Sequence, residues 1–252
     1  MEKKVVKVKD IEIGAGLPKI CVSITGKNET EILEQAKEIQ KNPVDVAEWR
    51  VDFFEAVLEI EKVKAVLKNL REVLCDCPIL FTFRRKEEGG ERVISIEEYR
   101  NLNLSIIESG YVDLVDVELF AGDGLVEEIV THAHNNTVKV VISNHDFLKT
   151  PNKEELVNRL EKMQQLGGDL PKIAVMPQNA TDVLTLLMAT EQFNKEYANR
   201  PFITISMSKM GLISRLAGGV FGSAMTFGAV GEVSAPGQIQ AEKLLEVLHL
   251  LQ

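Results

Sequence analysis

Short apolar runs alternate with amphipathic stretches eight times along this chain, and that repeat restricts the fold more than any other feature of the sequence. The apolar runs, which predict strands, lie at residues 20–24, 45–53, 79–84, 111–119, 138–147, 172–176, 202–207 and 224–230. The amphipathic stretches, which predict helices, lie at residues 29–40, 57–74, 96–108, 125–134, 153–165, 180–193, 211–217 and 236–250. Strand followed by helix, repeated in this way, predicts the α/β fold of a closed (β/α)8 TIM barrel, whose usual length is about 250 residues. The alternative is an open doubly wound sheet, although no GxGxxG turn follows the first strand as a dinucleotide site would require.

One segment before the first barrel strand lies outside the repeat. Residues 5–16 alternate apolar and polar side chains around a Lys9-Asp10 break. This pattern predicts a short β-hairpin, which we expect to close the N-terminal mouth of the barrel and cover its apolar interior. No linker or low-complexity tract follows, so residues 1–252 are predicted to form a single barrel domain.

Composition limits the classes of partner. The net charge is −9, which argues against nucleic acid, because phosphate binding needs a basic surface. The three cysteines form neither a disulfide framework nor a zinc motif. The first residues lack the apolar core of a signal peptide, and no apolar run approaches the roughly 18 residues of a membrane span. We therefore predict a cytoplasmic protein with no membrane association.

Charged and titratable residues interrupt several of the predicted strands. Because strand side chains alternate between two faces, and the outer face must be apolar to pack against helices, these residues are assigned to the barrel interior. The set placed inside comprises Ser23, Glu48, Arg50, Arg84, Asp116, Glu118, Ser143, His145 and Lys172. An unpaired buried charge costs several kcal/mol, so such a set is rarely accidental. It is either a network of mutually satisfied ion pairs or a site for a polar, anionic substrate, and the second interpretation explains the excess better.

The residue types in this interior suit one kind of chemistry. A lysine is a nucleophile only as the free amine, and Lys172 in that form can attack a ketone to give an imine, which acidifies the adjacent carbon. His145 is a suitable base for the resulting proton transfer. A carboxylate is wanted to orient the imidazole, and Glu88 is the candidate, with Glu87 as the alternative. Lys172 begins its predicted strand, whereas barrel sites lie at the C-terminal ends, but a lysine side chain is long enough to extend along the interior past Ala174.

The C-terminal part of the sequence adds an anion-binding candidate and a loop. Arg215 lies in the predicted helix after strand seven, where barrels of this type often bind anions. Residues 234–238, with the sequence SAPGQ, predict a polar loop that closes over a ligand. Ser234 and Gln238 can equally serve only to cap the last helix.

Seven motifs in this order resemble the type I 3-dehydroquinate dehydratases of the shikimate pathway over essentially the whole chain. They read EWRVD at residues 48–52, TFR at 82–84, SNHDF at 143–147, PKIA at 171–174, MSKMG at 207–211, SR at 214–215 and SAPGQ at 234–238. The resemblance implies a (β/α)8 barrel, a homodimer, no metal or organic cofactor, and dehydration of the small molecule 3-dehydroquinate to 3-dehydroshikimate by syn elimination.

The resemblance also implies a role for individual residues. By the match, Lys172 forms the imine, His145 moves the proton and Glu88 is its acidic partner. Arg215 matches the residue that binds the substrate carboxylate. Glu48 and Arg84 match residues that bind the ring hydroxyls, and Arg50 supports Glu48. Ser23 lines the site, and Ser234 and Gln238 match the closing loop. From the residues alone, two other functions stay open, namely an aldolase of the Schiff-base class and a metabolite-binding barrel without catalysis.

Overall fold

Eight parallel strands surrounded by eight helices form a nearly closed barrel in the computed structural model, which describes residues 5–231 and 239–251. The strands are β1 (Val6–Val8), β2 (Ile11–Ile13), β3 (Lys19–Ile24), β4 (Val46–Arg50), β5 (Ile79–Thr82), β6 (Leu114–Glu118), β7 (Lys139–Asp146), β8 (Leu170–Val175), β9 (Ile203–Ser206) and β10 (Met225–Gly228). The helices are α1 (Glu29–Ile39), α2 (Ile60–Leu74), α3 (Ile96–Ile107), α4 (Asp123–Asn135), α5 (Lys153–Gln165), α6 (Ala180–Glu196), α7 (Leu212–Phe221) and α8 (Ala241–Leu250). The predicted (β/α)8 barrel is confirmed.

The barrel strands follow one another in the order β10-β3-β4-β5-β6-β7-β8-β9, each parallel to its neighbours. The seam between β9 and β10 is held by fewer backbone bonds than the other strand pairs. There the Ala224 N–H donates to the Phe202 carbonyl at 2.8 Å. The Thr204 N–H donates to the Ser223 side-chain oxygen at 3.1 Å, so a side chain replaces a ladder bond at this point.

The N-terminal hairpin lies where the sequence predicted it. β1 and β2 pair antiparallel around a turn at Lys9 and Asp10. Val6, Val8 and Ile13 are buried in the same apolar cluster as the inward side chains of the barrel, such as Val46 and Leu114. The hairpin therefore covers the interior of the barrel and keeps water from its apolar part.

Two faces of each strand supply two separate apolar clusters. The inner cluster contains the hairpin and the inward side chains, whereas the outer one joins the outward side chains to the helices. Trp49 is fully buried in the outer cluster, with its ring 5.8 Å from that of Phe81 in an edge-on arrangement. This confirms that Trp49 points outward and that its neighbours Glu48 and Arg50 point inward.

Several predicted boundaries were wrong, and two of these errors affect the site. β8 begins at Leu170, so Lys172 is its third residue rather than its first. β4 ends at Arg50, and Asp52 lies in a following 3-10 turn rather than on the strand. The sequence misplaced these ends because Pro171 resembles a strand breaker, and because the apolar side chains of the turn continue the pattern of the strand.

Candidate active site

The predicted interior residues meet in a pocket of about 100 Å³ at the C-terminal ends of the barrel strands. Its polar lining contains eight of the predicted residues, which are Ser23, Glu48, Arg50, Arg84, Glu88, His145, Lys172 and Arg215. Its apolar lining includes Phe147, Ala174, Ile205, Met207 and Phe227. Barrel enzymes place their active sites at this end, because the loops after the strands converge there.

Lys172 lines this pocket and is only 3% exposed. Its Nζ is 3.7 Å from Glu48 Oε1 and 3.7 Å from Asp116 Oδ2. The same nitrogen lies 4.4 Å from the centre of the Phe227 ring, over its face. Because Lys172 stands in the middle of β8, its side chain reaches the pocket without the long path along the interior that the sequence implied.

Glu48 is the carboxylate of β4 that faces the lysine. Its oxygens accept hydrogen bonds from the hydroxyls of Ser23 and Thr82, the second at 3.0 Å. Burial raises the pKa of Glu48, but the nearby cations Lys172 and Arg50 outweigh burial and hold that pKa below its ordinary value. Glu48 is therefore ionised near neutral pH and keeps lone pairs free for a ligand.

The resemblance implies that Arg50 supports Glu48, but the two side chains do not form an ion pair. Both Nε and Nη2 donate to the carboxylate oxygens of Asp52, each at 2.8 Å. Asp52 is fully buried, and its Oδ1 also accepts a hydrogen bond from the backbone N–H of Arg84 at 3.3 Å. The bidentate pair fixes the guanidinium at the pocket wall, where it acts on Glu48 only through its charge.

Beneath the pocket lies a buried ion-pair network that the sequence interpretation underestimated. Arg84 donates to Asp116 Oδ1 at 2.8 Å, to Glu118 Oε1 at 2.9 Å and to Ser143 Oγ at 3.0 Å. Arg85, the next residue along the chain, donates through Nε to Glu118 Oε2 at 2.6 Å. Part of the charged interior is thus a structural network, as one of the two interpretations proposed, and the pocket lies directly above it.

His145 and Glu88 form a contact pair on the pocket wall. His145 Nδ1 lies 3.2 Å from Glu88 Oε2, and the backbone N–H of His145 donates to the same oxygen at 2.8 Å. Glu87 is exposed, so the structure selects Glu88 as the partner. The turn that carries Glu88 is tight, and a Cβ on Gly90 would lie 1.8 Å from the Arg84 carbonyl oxygen.

Burial shapes the proton affinities of this pair. Burial raises the pKa of Glu88 to about 7, although the Arg84 guanidinium works in the opposite direction. Burial also lowers the pKa of His145 well below its ordinary value, and the cations Arg84, Lys172 and Arg50 add to this effect. The imidazole is therefore neutral at physiological pH, as a general base must be.

Arg215, on α7, is buried and has no acidic partner among residues 5–231 and 239–251. Its Nη1 donates to the Phe227 carbonyl at 3.3 Å, while Nε is buried without a partner in this part of the chain. Burial lowers the pKa of Arg215 to about 10. A buried cation with spare donors at the edge of a pocket suits a ligand carboxylate.

Some lining residues escaped the sequence analysis, and two predicted ones lie outside the described residues. Ile205 and Phe227 are inward side chains of β9 and β10, and period-two alternation would have identified them. Phe147, in contrast, shares a face with His145 by the same alternation, and it enters the pocket just after the end of β7. Ser234 and Gln238 belong to residues 232–238, outside the described ranges.

A parallel barrel with an ionisable pocket at the C-terminal strand ends defines the class of (β/α)8-barrel enzymes. The family model of type I 3-dehydroquinase matches residues 20–252. The chain is 59% identical to a 3-dehydroquinate dehydratase of Clostridioides difficile, over 99% of this chain and 98% of the relative. It is 54% identical to one of Escherichia coli, over 98% of each. The chain therefore belongs to the type I 3-dehydroquinase family and is a hydro-lyase.

Solved structures agree with this assignment. The type I 3-dehydroquinate dehydratase of Clostridium difficile, in a structure with covalently modified comenic acid, superposes with a TM-score of 0.97 at 59% identity, covering 99% of this chain and 98% of that one. The 3-dehydroquinate dehydratase of Enterococcus faecalis gives a TM-score of 0.93 at 41% identity, covering 98% of this chain and 99% of the other. Within the described residues, the helices are too short or too polar to cross a membrane.

Proposed function

We propose that this chain dehydrates 3-dehydroquinate to 3-dehydroshikimate by a syn elimination through an imine on Lys172. The observation that carries the proposal is the position of Lys172 in one pocket with the His145–Glu88 pair and the unpaired Arg215. A nucleophile, a base with its orienting group and an anion-binding group are the three parts that this reaction needs.

The first half of the reaction forms the imine. The ammonium of Lys172 releases a proton, and the free amine attacks the ring ketone to give a carbinolamine. The released proton then leaves with the carbinolamine hydroxyl as water, which gives a protonated imine. Glu48 Oε1 and Asp116 Oδ2, each 3.7 Å from the lysine nitrogen, stabilise its positive charge. The Phe227 ring face adds a smaller contribution of the same sign.

In the second half, His145 removes a proton from the carbon next to the imine, and the electron pair moves to the imine nitrogen as an enamine. The electrons then return and expel the ring hydroxyl, which takes the proton from His145 and leaves as water. Hydrolysis of the product imine releases Lys172. The same side chain removes the proton and delivers it to the hydroxyl, so both groups leave from one face, which makes the elimination syn.

Substrate orientation is assigned to the polar lining of the pocket. Arg215 binds the carboxylate. Glu48 and Arg84 contact ring hydroxyls, because Glu48 retains lone pairs, and Arg84 uses only three of its five N–H donors in the network below. Arg50 and Ser23 hold Glu48 in its ionised form, and Ser234 and Gln238 are assigned to the closing loop.

The test is reductive trapping of the intermediate. Intact mass and peptide mapping after addition of 3-dehydroquinate with borohydride should give one adduct, on Lys172. Rising product absorbance without an adduct would overturn the imine route. The absence of both the adduct and the absorbance change would overturn the dehydratase proposal and favour an aldolase or a binding protein. Trapping with ketose phosphates and a binding measurement would then separate these two alternatives.

Arg215→Met is expected to raise KM for 3-dehydroquinate by roughly 10- to 100-fold with a smaller change in kcat, because a charge-assisted hydrogen bond is worth about 1.5–3 kcal/mol. Wild-type KM should also rise as pH approaches 10, since the lowered pKa lets Arg215 lose its charge there. Arg200→Met is the control. The wild-type Arg200 guanidinium donates to the Gly168 carbonyl at 2.6 Å, just before the start of β8 and away from the C-terminal strand ends. An unchanged KM in Arg215→Met would remove the carboxylate role.

The oligomeric state and the cellular location go with this function. A homodimer is proposed, supported by exposed apolar side chains on α6 and α7, namely Leu184, Met188, Ile213 and Val220. Light scattering should give twice the mass of 28.1 kDa, and a monomer at micromolar concentration would contradict the dimer. One barrel domain and a cytoplasmic location remain predictions of the sequence.

A further inference from the structure

Asn144 belongs to the SNHDF motif, yet its side chain lies on the opposite face of β7 from the pocket residues Ser143 and His145. It is 3% exposed and meets Arg159 of α5, whose Nη1 donates to Asn144 Oδ1 at 2.7 Å. On its other side, Asn144 Nδ2 donates to Glu88 Oε1 at 3.1 Å. A chain of hydrogen bonds therefore runs from a surface helix to the carboxylate that contacts His145.

The direction of each bond in this chain is fixed by chemistry. A guanidinium only donates, so the amide atom of Asn144 that faces Arg159 must be the oxygen. The amide nitrogen then necessarily faces Glu88 and offers it a donor. Arg159 is itself held by Glu155, whose Oε1 accepts from Nε at 2.7 Å, and its Cζ lies 5.3 Å from the centre of the Phe120 ring.

Strand lengths explain why Glu88 can reach this place. β6 ends at Glu118, opposite Ser143, whereas β7 continues to Asp146. Beyond Ser143, β7 has no strand partner on that side within residues 5–231 and 239–251, and the His145 N–H donates to Glu88 Oε2 instead of a backbone carbonyl. One oxygen of Glu88 thus binds the backbone and ring of His145, while the other binds Asn144.

We propose that Asn144 and Arg159 are positioning residues that hold Glu88 ionised against Nδ1 of His145. An ionised Glu88 accepts the Nδ1 proton, and the imidazole then presents a bare Nε2 as the base. This role rests on the proposed function, in which His145 moves the proton. Neither residue contacts the pocket, so both act only through Glu88.

The charges around Glu88 show why the extra donor matters. Arg84 Nη1 lies 3.7 Å away and favours the carboxylate, whereas burial and the nearby Glu118 carboxylate disfavour it. These effects leave the pKa of Glu88 at about 7, with the Asn144 hydrogen bond among the contributions that lower it. Loss of that bond raises the pKa further, so Glu88 would hold its proton at a pH where the wild-type carboxylate is ionised.

The test is the pH profile of kcat in Asn144→Leu and Arg159→Met. The acidic limb should move up by about one pH unit in Asn144→Leu, because the carboxylate loses a hydrogen bond that favours its ionised form. Arg159→Met should move it in the same direction by about half as much. Arg159→Lys, which keeps a donor and a charge, should restore the wild-type profile. Glu155→Gln is the matched control, because the amide oxygen of the new side chain still accepts from Arg159 Nε, and it should leave the limb unmoved.

A second measurement needs no substrate. Nitrogen NMR of labelled histidine in the unliganded protein should place the wild-type His145 proton on Nδ1, and the proton should become less confined to Nδ1 in Arg159→Met. If Arg159→Met leaves both the acidic limb of the kcat profile and the His145 tautomer unchanged, the proposal is overturned, even if Asn144→Leu fails to fold. An equal shift in Glu155→Gln would also overturn it. Because the tautomer is read without substrate, this result is distinct from a failure of wild type to form the imine.

Discussion

Replacement of Lys172 by methionine is expected to lower kcat by at least about 10⁴-fold and to abolish the borohydride-trapped adduct. The physical reason is that no other amine lines the pocket among the described residues, so the ketone has no nucleophile. Methionine preserves most of the side-chain volume in the barrel interior. Steady-state turnover and intact mass after reduction with 3-dehydroquinate are the measurements.

The same substitution has a cost in stability that must be separated from chemistry. Removal of the ammonium leaves Glu48 and Asp116 facing each other without their shared cation, and breaking a buried ion pair costs about 3–5 kcal/mol. Lys172→Arg is the companion variant, because it keeps a cation in place while a guanidinium is not a nucleophile. Turnover above about 1% of wild type in a folded Lys172→Arg protein would contradict the imine mechanism.

His145→Ala is expected to separate the covalent step from proton transfer. Imine formation should persist, since Lys172 and its neighbouring carboxylates are intact, and the adduct should still map to Lys172. Turnover should fall by roughly 10²- to 10⁴-fold, the usual contribution of a positioned general base. Trapping the adduct and timing product absorbance in one sample measures both steps.

The pH dependence gives an independent check on this assignment. Because the pKa of His145 is lowered, the neutral base persists to a pH well below the ordinary histidine range. The acidic limb of wild-type kcat should then follow Glu88, with a midpoint near 7, and activity should fall as pH falls through it. Equal turnover in His145→Ala and wild type would exclude His145 from the reaction.

His134→Ala is the matched control for the histidine series. Its Nε2 lies 2.8 Å from Asp169 Oδ2, at the start of the strands rather than at the pocket. We expect wild-type turnover and a wild-type pH profile from this variant. A fall similar to that of His145→Ala would mean that the loss reports on stability instead of proton transfer.

Alternation of side chains was enough to predict which residues share the barrel interior. Period two placed Glu48 and Lys172 on inward faces and Trp49 on an outward face, and the structure confirms all three. This inference works because a barrel strand has only two faces and its outer face must be apolar. The register of a strand end is not fixed by this rule, which is why Lys172 was placed first in β8 instead of third.

Partner choice inside the barrel was decided by the tertiary structure. The sequence identified the inward charges, but it did not show that Arg84 donates to Asp116 and Glu118 or that Arg50 binds Asp52. These pairs join residues from different strands and turns, so no local sequence pattern specifies them.

The sequence by itself determined the eightfold repeat, the inward faces and the residue types in the pocket, because these follow from local periodicity and from the cost of burying charge. The choice of Glu88 over Glu87 belongs to the fold, since it depends on β6 ending before β7 and leaving the His145 N–H without a strand partner. The route from Arg159 through Asn144 to Glu88 depends in the same way on how α5 packs against the outer face of β7, which no local pattern specifies.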